Sequence, residues 1–199
     1  VDIRDLVLGD LPALGNIDYE AFIATGASDY NWHLPEDEWQ ALTLSYTSGT
    51  SGRPKGVVYH HRGSYLMSFG TVAAWQLGQH PTYLYTVPMF HCNGWGHAWT
   101  MALMAAKIVL TRTITAEEIF RLVDKHRVTH FGGAPIVLGM LVNAPESFWP
   151  DLSDRTVSAM TAGAPPPASI LEKLSAMGFG VMQVYGLTET YGHVTQCVW

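Results

Sequence analysis

The segment TSGTSGRPKG, at positions 47–56, combines residue types that bind an anion. Gly49 and Gly52 let the backbone approach a ligand closely and adopt positive φ, and successive N–H groups in such a turn can hold an anion. Lys55 adds a positive charge, and four side chains add hydroxyl donors: Thr47, Ser48, Thr50 and Ser51. This composition predicts a polyphosphate-binding loop, with an ordinary flexible turn as the alternative. It is not the common GxxxxGK[ST] loop, because Gly56 follows Lys55.

A second segment, YGLTET at positions 185–190, carries groups that suit a nucleotide and its metal ion. The Glu189 carboxylate is a hard oxygen ligand, and Mg²⁺ is typically held by one or two carboxylates together with substrate phosphates. Thr188 can donate a hydrogen bond to a phosphoryl oxygen, and Tyr185 offers a flat ring to a base. A strand-end turn with a solvated glutamate is the alternative for this segment taken alone.

Elements of alternating type must position these segments. Apolar and β-branched runs predict strands at 41–46, 56–61, 82–90, 107–111, 129–135, 156–165 and 180–190. Helical patterns fall at 18–25, 61–78, 94–106, 115–128, 135–145 and 166–178. Pro54 disfavours a helix at Arg53, so the glycine loop is expected to join two strands. The alternation predicts an α/β fold, a layered and mainly parallel sheet with helices on both faces.

Finer features accompany these elements. Thr115 and Glu118 have the spacing of a capping box at a helix start, and Gly178 is placed as a C-terminal helix cap. Residues 180–190 are predicted to be the last strand with its turn. The helix at 61–78 carries an apolar stripe: Leu66, Phe69 and Ala73.

Three polar or glycine-rich segments follow predicted strands: FHCNGW after Phe90, TAGAPPP after Met160 and YGLTET after Tyr185. In open α/β sheets, ligands bind at the carboxyl ends of the strands. We therefore expect these segments, together with the glycine loop, to form one site.

Composition restricts the class of protein. The chain has 199 residues, 48% of them hydrophobic and 14% charged, which suits a buried core. The net charge of −6 and the scattered basic residues disfavour nucleic acid as a partner. Two isolated cysteines, Cys92 and Cys197, favour a reducing compartment, so a cytoplasmic location is expected. No apolar run is long enough for a membrane span and no signal peptide is evident at the N-terminus.

The ordered segments YTSGTSGRPKG, PMFHCNGW, TAGAPPP and YGLTET resemble the acyl-adenylate-forming, or AMP-binding, superfamily over most of the chain from Tyr46. The text GVVYHHRGSYL and TAGAPPPASILEKL looks like the branch of short- and medium-chain acyl-CoA ligases, including the methylthiopropionate-CoA ligases. Ser51 stands where the family usually has Thr, which keeps the hydroxyl. The resemblance implies the fold of part of the large N-terminal domain.

The resemblance also implies a two-step reaction with ATP, Mg²⁺ and coenzyme A. A carboxylate attacks the α-phosphorus of ATP and expels pyrophosphate, and the thiol of coenzyme A then displaces AMP. Positive charge and oriented donors must offset the repulsion between the two anions.

By the same resemblance, the loop Thr47–Lys55 would hold the β- and γ-phosphates, and Thr188 would contact the α-phosphate. Mg²⁺ would be held by Glu189 with Thr50. Lys55, His91, Thr188 and Glu189 would be the catalytic residues, with His91 beside the reacting carboxylate. The adenine pocket would be lined by seven residues: Gly163, Ala164, Pro165, Gln183, Val184, Tyr185 and Gly186.

The acyl pocket would be shaped by five residues: Gly94, Trp95, Gly132, Gly133 and Pro135. Plain core packing is the alternative for Trp95 and Trp99, and the apolar stretch 99–106 is expected to be core. His91, Cys92 and His97 do not match the spacing of a zinc site. The stretch 91–99 has no acidic residue, and the resemblance to peptide-synthetase domains, which use an Asp here to bind an amino group, therefore disfavours an amino-acid substrate. The aromatic and small residues favour an apolar, rather short acyl group.

Residues 1–199 are expected to be the central part of an AMP-binding domain, with an upstream region and a small C-terminal domain absent. Alone, such a chain would have little complete ligase activity. Two other classes stay open: a nucleotide-binding module without catalysis, and an NTPase or kinase that releases ADP. An adenylation domain for another acid class, and a homodimer, are further possibilities.

Overall fold

The computed structural model describes residues 1–3, 9, 12–49 and 52–198. The chain forms two compact units, residues 1–36 and residues 37–199. In the first unit the short helix α1 (Tyr19–Ile23) begins after Asp18, whose carboxylate accepts hydrogen bonds from the backbone of Glu20 and Ala21. This confirms, in shorter form, the helix predicted at 18–25.

The second unit opens with a β-hairpin. Strands β1 (Ala41–Thr47) and β2 (Lys55–His60) pair antiparallel, with Thr47 opposite Lys55. The glycine loop therefore joins two strands, as predicted. Of its residues, Thr50 and Ser51 lie outside the described part of the chain.

Six strands form the main sheet. They are β3 (Thr82–Tyr85), β4 (Lys107–Leu110), β5 (His130–Gly132), β6 (Val157–Thr161), β7 (Phe179–Gly186) and β8 (His193–Val198). Their spatial order is β4-β3-β5-β6-β7-β8; the first five run parallel and β8 runs antiparallel to β7. The prediction of a mainly parallel sheet is confirmed, whereas the prediction that 180–190 is the last strand is wrong.

Helices and short turns connect these strands. They are α2 (His61–Trp75), α3 (Cys92–Trp95), α4 (His97–Leu103), α5 (Ala116–Lys125), α6 (Pro135–Val142) and α7 (Ala168–Ala176), with 3₁₀ turns at Glu146–Phe148 and Thr188–Thr190. The helix expected at 94–106 is shorter, since α4 begins only at His97: residues 92–96 all have positive, left-handed φ. Among the described residues, none of the helices has the length and apolar character needed to cross a bilayer.

The predicted helix caps form, one of them in part. Thr115 Oγ1 accepts a hydrogen bond from Glu118 N at 3.3 Å. The Glu118 carboxylate binds Arg121 instead of returning to the helix start, so the capping box is half formed. Gly178, with φ of 90°, follows α7 as a glycine cap should.

Alternate residues of the sheet contribute to two separate cores, because neighbouring strand side chains point to opposite faces. Leu84, Ala159 and Val181 pack with α5, α6 and α7. Tyr83, Met160 and Met182 pack with Trp75 of α2 and Met101 of α4. Helices therefore cover both faces, as predicted.

The helix α2 shows the opposite of the expected orientation. Its buried residues are Ser64, Ser68, Thr71 and Trp75, whereas Leu66 and Phe69 of the predicted apolar stripe are 52% and 44% exposed. The stretch 99–106 is also less buried than expected. Met101 is fully buried, but Leu103 is 40% exposed. Small polar residues allow α2 to approach α4 closely.

Candidate active site

The carboxyl ends of β5, β6 and β7 lie side by side. Gly132 is opposite Met160, and Thr161 is opposite Gln183. Gly133 N donates to Met160 O at 2.9 Å, which extends the pairing beyond β5. The segments that follow β6 and β7, TAGAPPP and YGLTET, therefore start from the same edge of the sheet, as the sequence predicted, and the segment after β5 starts beside them.

The residues expected to bind adenine lie at this edge. Gly163, Ala164 and Pro165 follow β6 and are exposed, and the Tyr185 ring is 57% exposed at the end of β7. Gln183 and Gly186 are half-buried in the same strand. The Val184 side chain is buried in the core, so only its backbone faces the edge.

The hairpin holds the described part of the glycine loop. Gly49 and Gly52 have φ of 68° and 77°, the positive values expected from the sequence. A Cβ on Gly49 would overlap the carbonyl of Arg53, so the loop requires glycine there. Thr47 ends β1 and the exposed Lys55 begins β2, with Ser48 between Thr47 and Gly49.

The Thr188–Thr190 turn contacts two other parts of the site. Thr188 Oγ1 lies 3.1 Å from the Cys92 Sγ, and Thr188 O accepts a hydrogen bond from the Tyr59 hydroxyl at 2.7 Å. Glu189 is exposed. Lys55 is exposed as well, and among the described residues neither an ion pair nor a hydrogen bond joins it to Glu189.

Tyr59 is a site residue that the sequence analysis missed. It is fully buried and stacks on Tyr191 with ring centroids 4.4 Å apart. Burial, with smaller contributions from Cys92, Tyr191 and Glu189, raises the pKa of Tyr59 to about 12. The hydroxyl therefore keeps its proton and donates it to Thr188 O, which ties β2 to the Thr188–Thr190 turn.

The segment that follows His91 has an unusual backbone, which we call the left-handed turn (Cys92–Gly96). Its φ values are 43°, 44°, 60°, 59° and 69°. For a residue other than glycine, left-handed backbone costs roughly 1–2 kcal/mol, and asparagine tolerates it best. Gly94 is required, because a Cβ there would overlap the Tyr85 hydroxyl.

Contacts from outside the left-handed turn stabilise it. The Tyr85 hydroxyl donates to Gly94 O at 3.0 Å. The Asn93 side-chain oxygen accepts hydrogen bonds from Thr43 Oγ1 at 2.6 Å and Ser45 Oγ at 3.1 Å, both on β1. His91 precedes the turn and is exposed. The structure thus connects three parts of the site: the hairpin, residues 91–96 (the His91 segment) and Thr188.

A buried polar pair lies beneath the residues expected to shape the acyl pocket. The Tyr83 hydroxyl and His97 Nδ1 are 2.6 Å apart, and burial, with His193 and His130 nearby, lowers the pKa of His97 to about 3. His97 is therefore neutral, and a hydrogen bond joins its Nδ1 to the Tyr83 hydroxyl. A Cβ on Gly132 would be 3.3 Å from the His97 ring.

Trp95 and Trp99 line a narrow crevice between α2 and α4. It is too narrow to admit a water molecule, and Ser64, Met67 and Tyr191 are among the other residues around it. The Ser64 hydroxyl is buried there without a hydrogen-bond partner. The other residues expected to shape the acyl pocket follow β5: Gly133 is buried, and Pro135 begins α6.

Some of these residues left a signal in the sequence. Asn93-Gly94 is a dipeptide that favours left-handed turns, so the turn after His91 could have been identified. Tyr59, Tyr85 and Tyr191 gave no such signal, because aromatic residues in apolar runs read as ordinary core.

The structure thus combines an α/β fold with a glycine-rich hairpin, the histidine segment after β3 and the Thr188–Thr190 turn. The family of AMP-binding enzymes matches residues 11–199. The chain belongs to this family.

Similar proteins are found among curated sequences. The chain is 47% identical over 185 residues to the peroxisomal acetate/butyrate–CoA ligase AAE7 of Arabidopsis thaliana, covering 93% of this chain and 32% of that protein. It is 44% identical over 181 residues to the 2-methylpropanoate–CoA ligase CCL4 of Humulus lupulus, covering 91% of this chain and 32% of that protein. The chain thus spans about a third of the length of these relatives.

Solved structures share the fold. The N-terminal domain of FACL13 from Mycobacterium tuberculosis, bound to an inhibitor, has a TM-score of 0.83 at 25% identity, covering 92% of this chain and 46% of that chain. The o-succinylbenzoate–CoA synthetase MenE from Bacillus subtilis, in complex with ATP and magnesium, has a TM-score of 0.77 at 24% identity, covering 92% and 38%.

Proposed function

We propose that the protein containing this chain activates a short- or medium-chain carboxylic acid with ATP and transfers the acyl group to coenzyme A. One carboxylate oxygen forms a bond to the α-phosphorus as the bond to pyrophosphate breaks. The thiol then forms a C–S bond to the acyl carbon, loses its proton, and AMP leaves. The observation that carries the proposal is the convergence on Thr188 of Cys92, next to His91, and Tyr59 of the hairpin.

Each group of site residues has a role in this proposal. The N–H groups of the glycine loop and Lys55 bind the β- and γ-phosphates and offset their charge. Thr188 donates to the α-phosphate, and His91 lies beside the incoming carboxylate. The exposed edge formed by Gly163–Pro165 and Gln183–Gly186 takes the adenine.

A metal ion fits the carboxylate of this site. Glu189 is exposed and makes no ion pair among the described residues, which leaves its oxygens free. One carboxylate is the protein contribution typical of Mg²⁺ that is bound mainly by substrate phosphates. Bound there with Thr50, Mg²⁺ would supply neutralisation of phosphate charge.

The acid is proposed to be short and apolar. The relatives AAE7 and CCL4 are named for acetate, butyrate and 2-methylpropanoate. Fatty acid metabolism is the corresponding cellular role.

We also propose that residues 1–199 form the central part of a longer adenylation domain, which agrees with the share of the relatives that the chain covers. The cytoplasmic location stays a prediction, and the relative AAE7 is named as peroxisomal. A homodimer and the absence of nucleic-acid partners likewise stay predictions.

The test is acid-dependent ATP–pyrophosphate exchange by the intact protein with acetate, butyrate, 2-methylpropanoate, hexanoate and benzoate. We expect exchange with a short acid and a loss of roughly 100-fold or more in Lys55→Ala and Glu189→Gln, because each removes a charge from the phosphate site. Matched controls are Lys173→Ala and Glu172→Gln, both exposed on α7. Release of ADP, or no exchange with any acid, would overturn the proposal.

A further inference from the structure

Asn93 joins two of the predicted motifs. Its side-chain oxygen receives hydrogen bonds from Thr43 Oγ1 at 2.6 Å and from Ser45 Oγ at 3.1 Å. Thr43 is half-buried and Ser45 is 5% exposed, so water competes little for these bonds. The link spans about fifty residues of sequence and is therefore a tertiary contact that both segments must maintain.

The hydrogen bonds of Asn93 join a position close to the glycine loop to a position close to His91. Ser45 is two residues before Thr47, where the glycine loop begins, and Asn93 is two residues after His91. A shift of β1 caused by phosphates in the glycine loop would therefore reach the His91 segment directly through the Asn93 side chain, beside the route from Tyr59 through Thr188 to Cys92.

The left-handed turn makes this segment sensitive to its anchors. Cys92, Asn93 and Trp95 all have positive φ, which residues other than glycine rarely adopt. Such a backbone persists only where its surroundings determine it. Asn93 supplies the contact to β1, whereas Cys92 supplies the contact to Thr188.

We propose that Asn93 is a positioning residue that couples phosphate binding in the glycine loop to the placement of the His91 segment for the carboxylic acid. The proposal rests on the proposed function and adds a dependence between its two substrates. ATP bound to the hairpin orders β1, Asn93 transmits that order to the left-handed turn, and the acid then meets a formed site.

The chain offers variants that separate the amide from the backbone. Asn93→Gly removes the side chain and keeps a residue that favours left-handed φ. Asn93→Asp keeps an oxygen that accepts from both hydroxyls. In ATP–pyrophosphate exchange by the intact protein, with butyrate as the acid, we expect Asn93→Gly to raise the KM for butyrate roughly tenfold.

The expected pattern differs from that of a structural defect. With butyrate below its KM, the KM for ATP stays within about twofold of the wild-type value in Asn93→Gly, because the phosphate contacts are intact. Asn93→Asp recovers most of the butyrate KM. A structural role would instead lower kcat and the melting temperature with both KM values unchanged. That outcome would overturn the proposal.

A second test approaches the link from β1. Thr43→Val with Ser45→Ala removes both donors, and we expect this double variant to raise the butyrate KM as Asn93→Gly does. Combining all three substitutions should add little, because the same link is already broken. Additive effects would show that the residues act separately and would overturn the proposal. If Asn93→Gly does not fold, the β1 variants and Asn93→Asp still give this comparison.

Failure of the two proposals can be told apart. No exchange by the wild-type protein with any acid would overturn the acyl-CoA ligase proposal and this coupling with it. Normal wild-type exchange, with an unchanged butyrate KM in Asn93→Gly, would overturn the coupling alone.

Discussion

The two faces of the main sheet are packed with different chemistry. The face covered by α5, α6 and α7 is filled by aliphatic and phenylalanine side chains such as Ile119, Leu138 and Phe131. The face covered by α2 and α4 contains Trp75, Tyr83, methionines and the buried His97. The first face follows the ordinary rule for a stable core, whereas the second buries polar groups that must be satisfied one by one.

The second face is less favourable for stability than the first, and it is the face that supports the candidate site. On the second face Ser64 Oγ and Trp75 Nε1 are buried without a hydrogen-bond partner, an arrangement that reduces stability. That face also carries the crevice, Tyr85 beneath the left-handed turn, and Tyr83 beneath Gly132. Truncation of a buried aliphatic side chain on the first face should therefore lower the free energy of unfolding, whereas removal of an unpartnered hydroxyl on the second face should raise it.

The largest effect is expected on the aliphatic face. Leu138→Ala removes a fully buried side chain of α6 and should lower the free energy of unfolding by about 2–5 kcal/mol, since the space left cannot collapse completely. Ile136→Ala, in the same helix but at a position 77% exposed, is the matched control. Urea unfolding of the intact protein measures both. Equal losses would contradict the assignment of this face as the stabilising core.

An intermediate effect is expected from acid at the polar face. Burial lowers the pKa of His97 from 6.5 to about 3, so below pH 6.5 the unfolded chain binds a proton that the folded chain does not. The free energy of unfolding is therefore highest above pH 6.5 and decreases as the pH falls towards 3. Between pH 7 and pH 5 this amounts to about 2 kcal/mol.

The variant His97→Gln tests this origin, because it cannot titrate and still offers Tyr83 an acceptor. Its free energy of unfolding should change less between pH 7 and pH 5 than that of the wild type, whereas His33→Gln, at an exposed position, should change as the wild type does. Identical pH profiles for all three proteins would place the acid sensitivity elsewhere, with His130 and His193 as the next groups to test.

The smallest effect should have the opposite sign. Ser64→Ala removes a buried hydroxyl that has no partner, and we expect the free energy of unfolding to rise by about 0.5–1 kcal/mol. Ser175→Ala, at an exposed position of α7, corrects for the helix propensity of alanine. A loss of stability in Ser64→Ala, measured by thermal unfolding, would mean that the hydroxyl is satisfied in solution.

Much of the fold was predictable, because strands, helix starts and glycine turns leave local signals. The hairpin around the glycine loop, Thr115 as a helix cap and Gly178 as a helix end follow from nearest neighbours in sequence. The buried face of α2 was not predictable, since packing against α4 selects the small hydroxyl residues and leaves Leu66 exposed. Strand β8 was missed because it is defined by its antiparallel pairing with β7, which is a tertiary contact and not a local sequence pattern.

The candidate site was predictable in its loops and not in the contacts between them. Spacing and composition indicated that the segments after three strands would meet at one edge of the sheet. The hydrogen bonds from Tyr59 to Thr188 and from Thr43 to Asn93 join residues 129 and 50 positions apart. No local pattern encodes such pairs, which depend on the finished fold.

The close approach of Gly94 to the Tyr85 hydroxyl also limits how this protein can evolve. Any side chain at position 94 collides with that ring while Tyr85 is present, and a smaller residue at 85 alone removes the hydrogen bond to Gly94 O. A lineage that changes the turn must therefore pass through an impaired single variant or acquire both changes together. Sequence changes among relatives should consequently collect at neighbouring positions such as Trp95 while the pair at 85 and 94 is inherited as a unit.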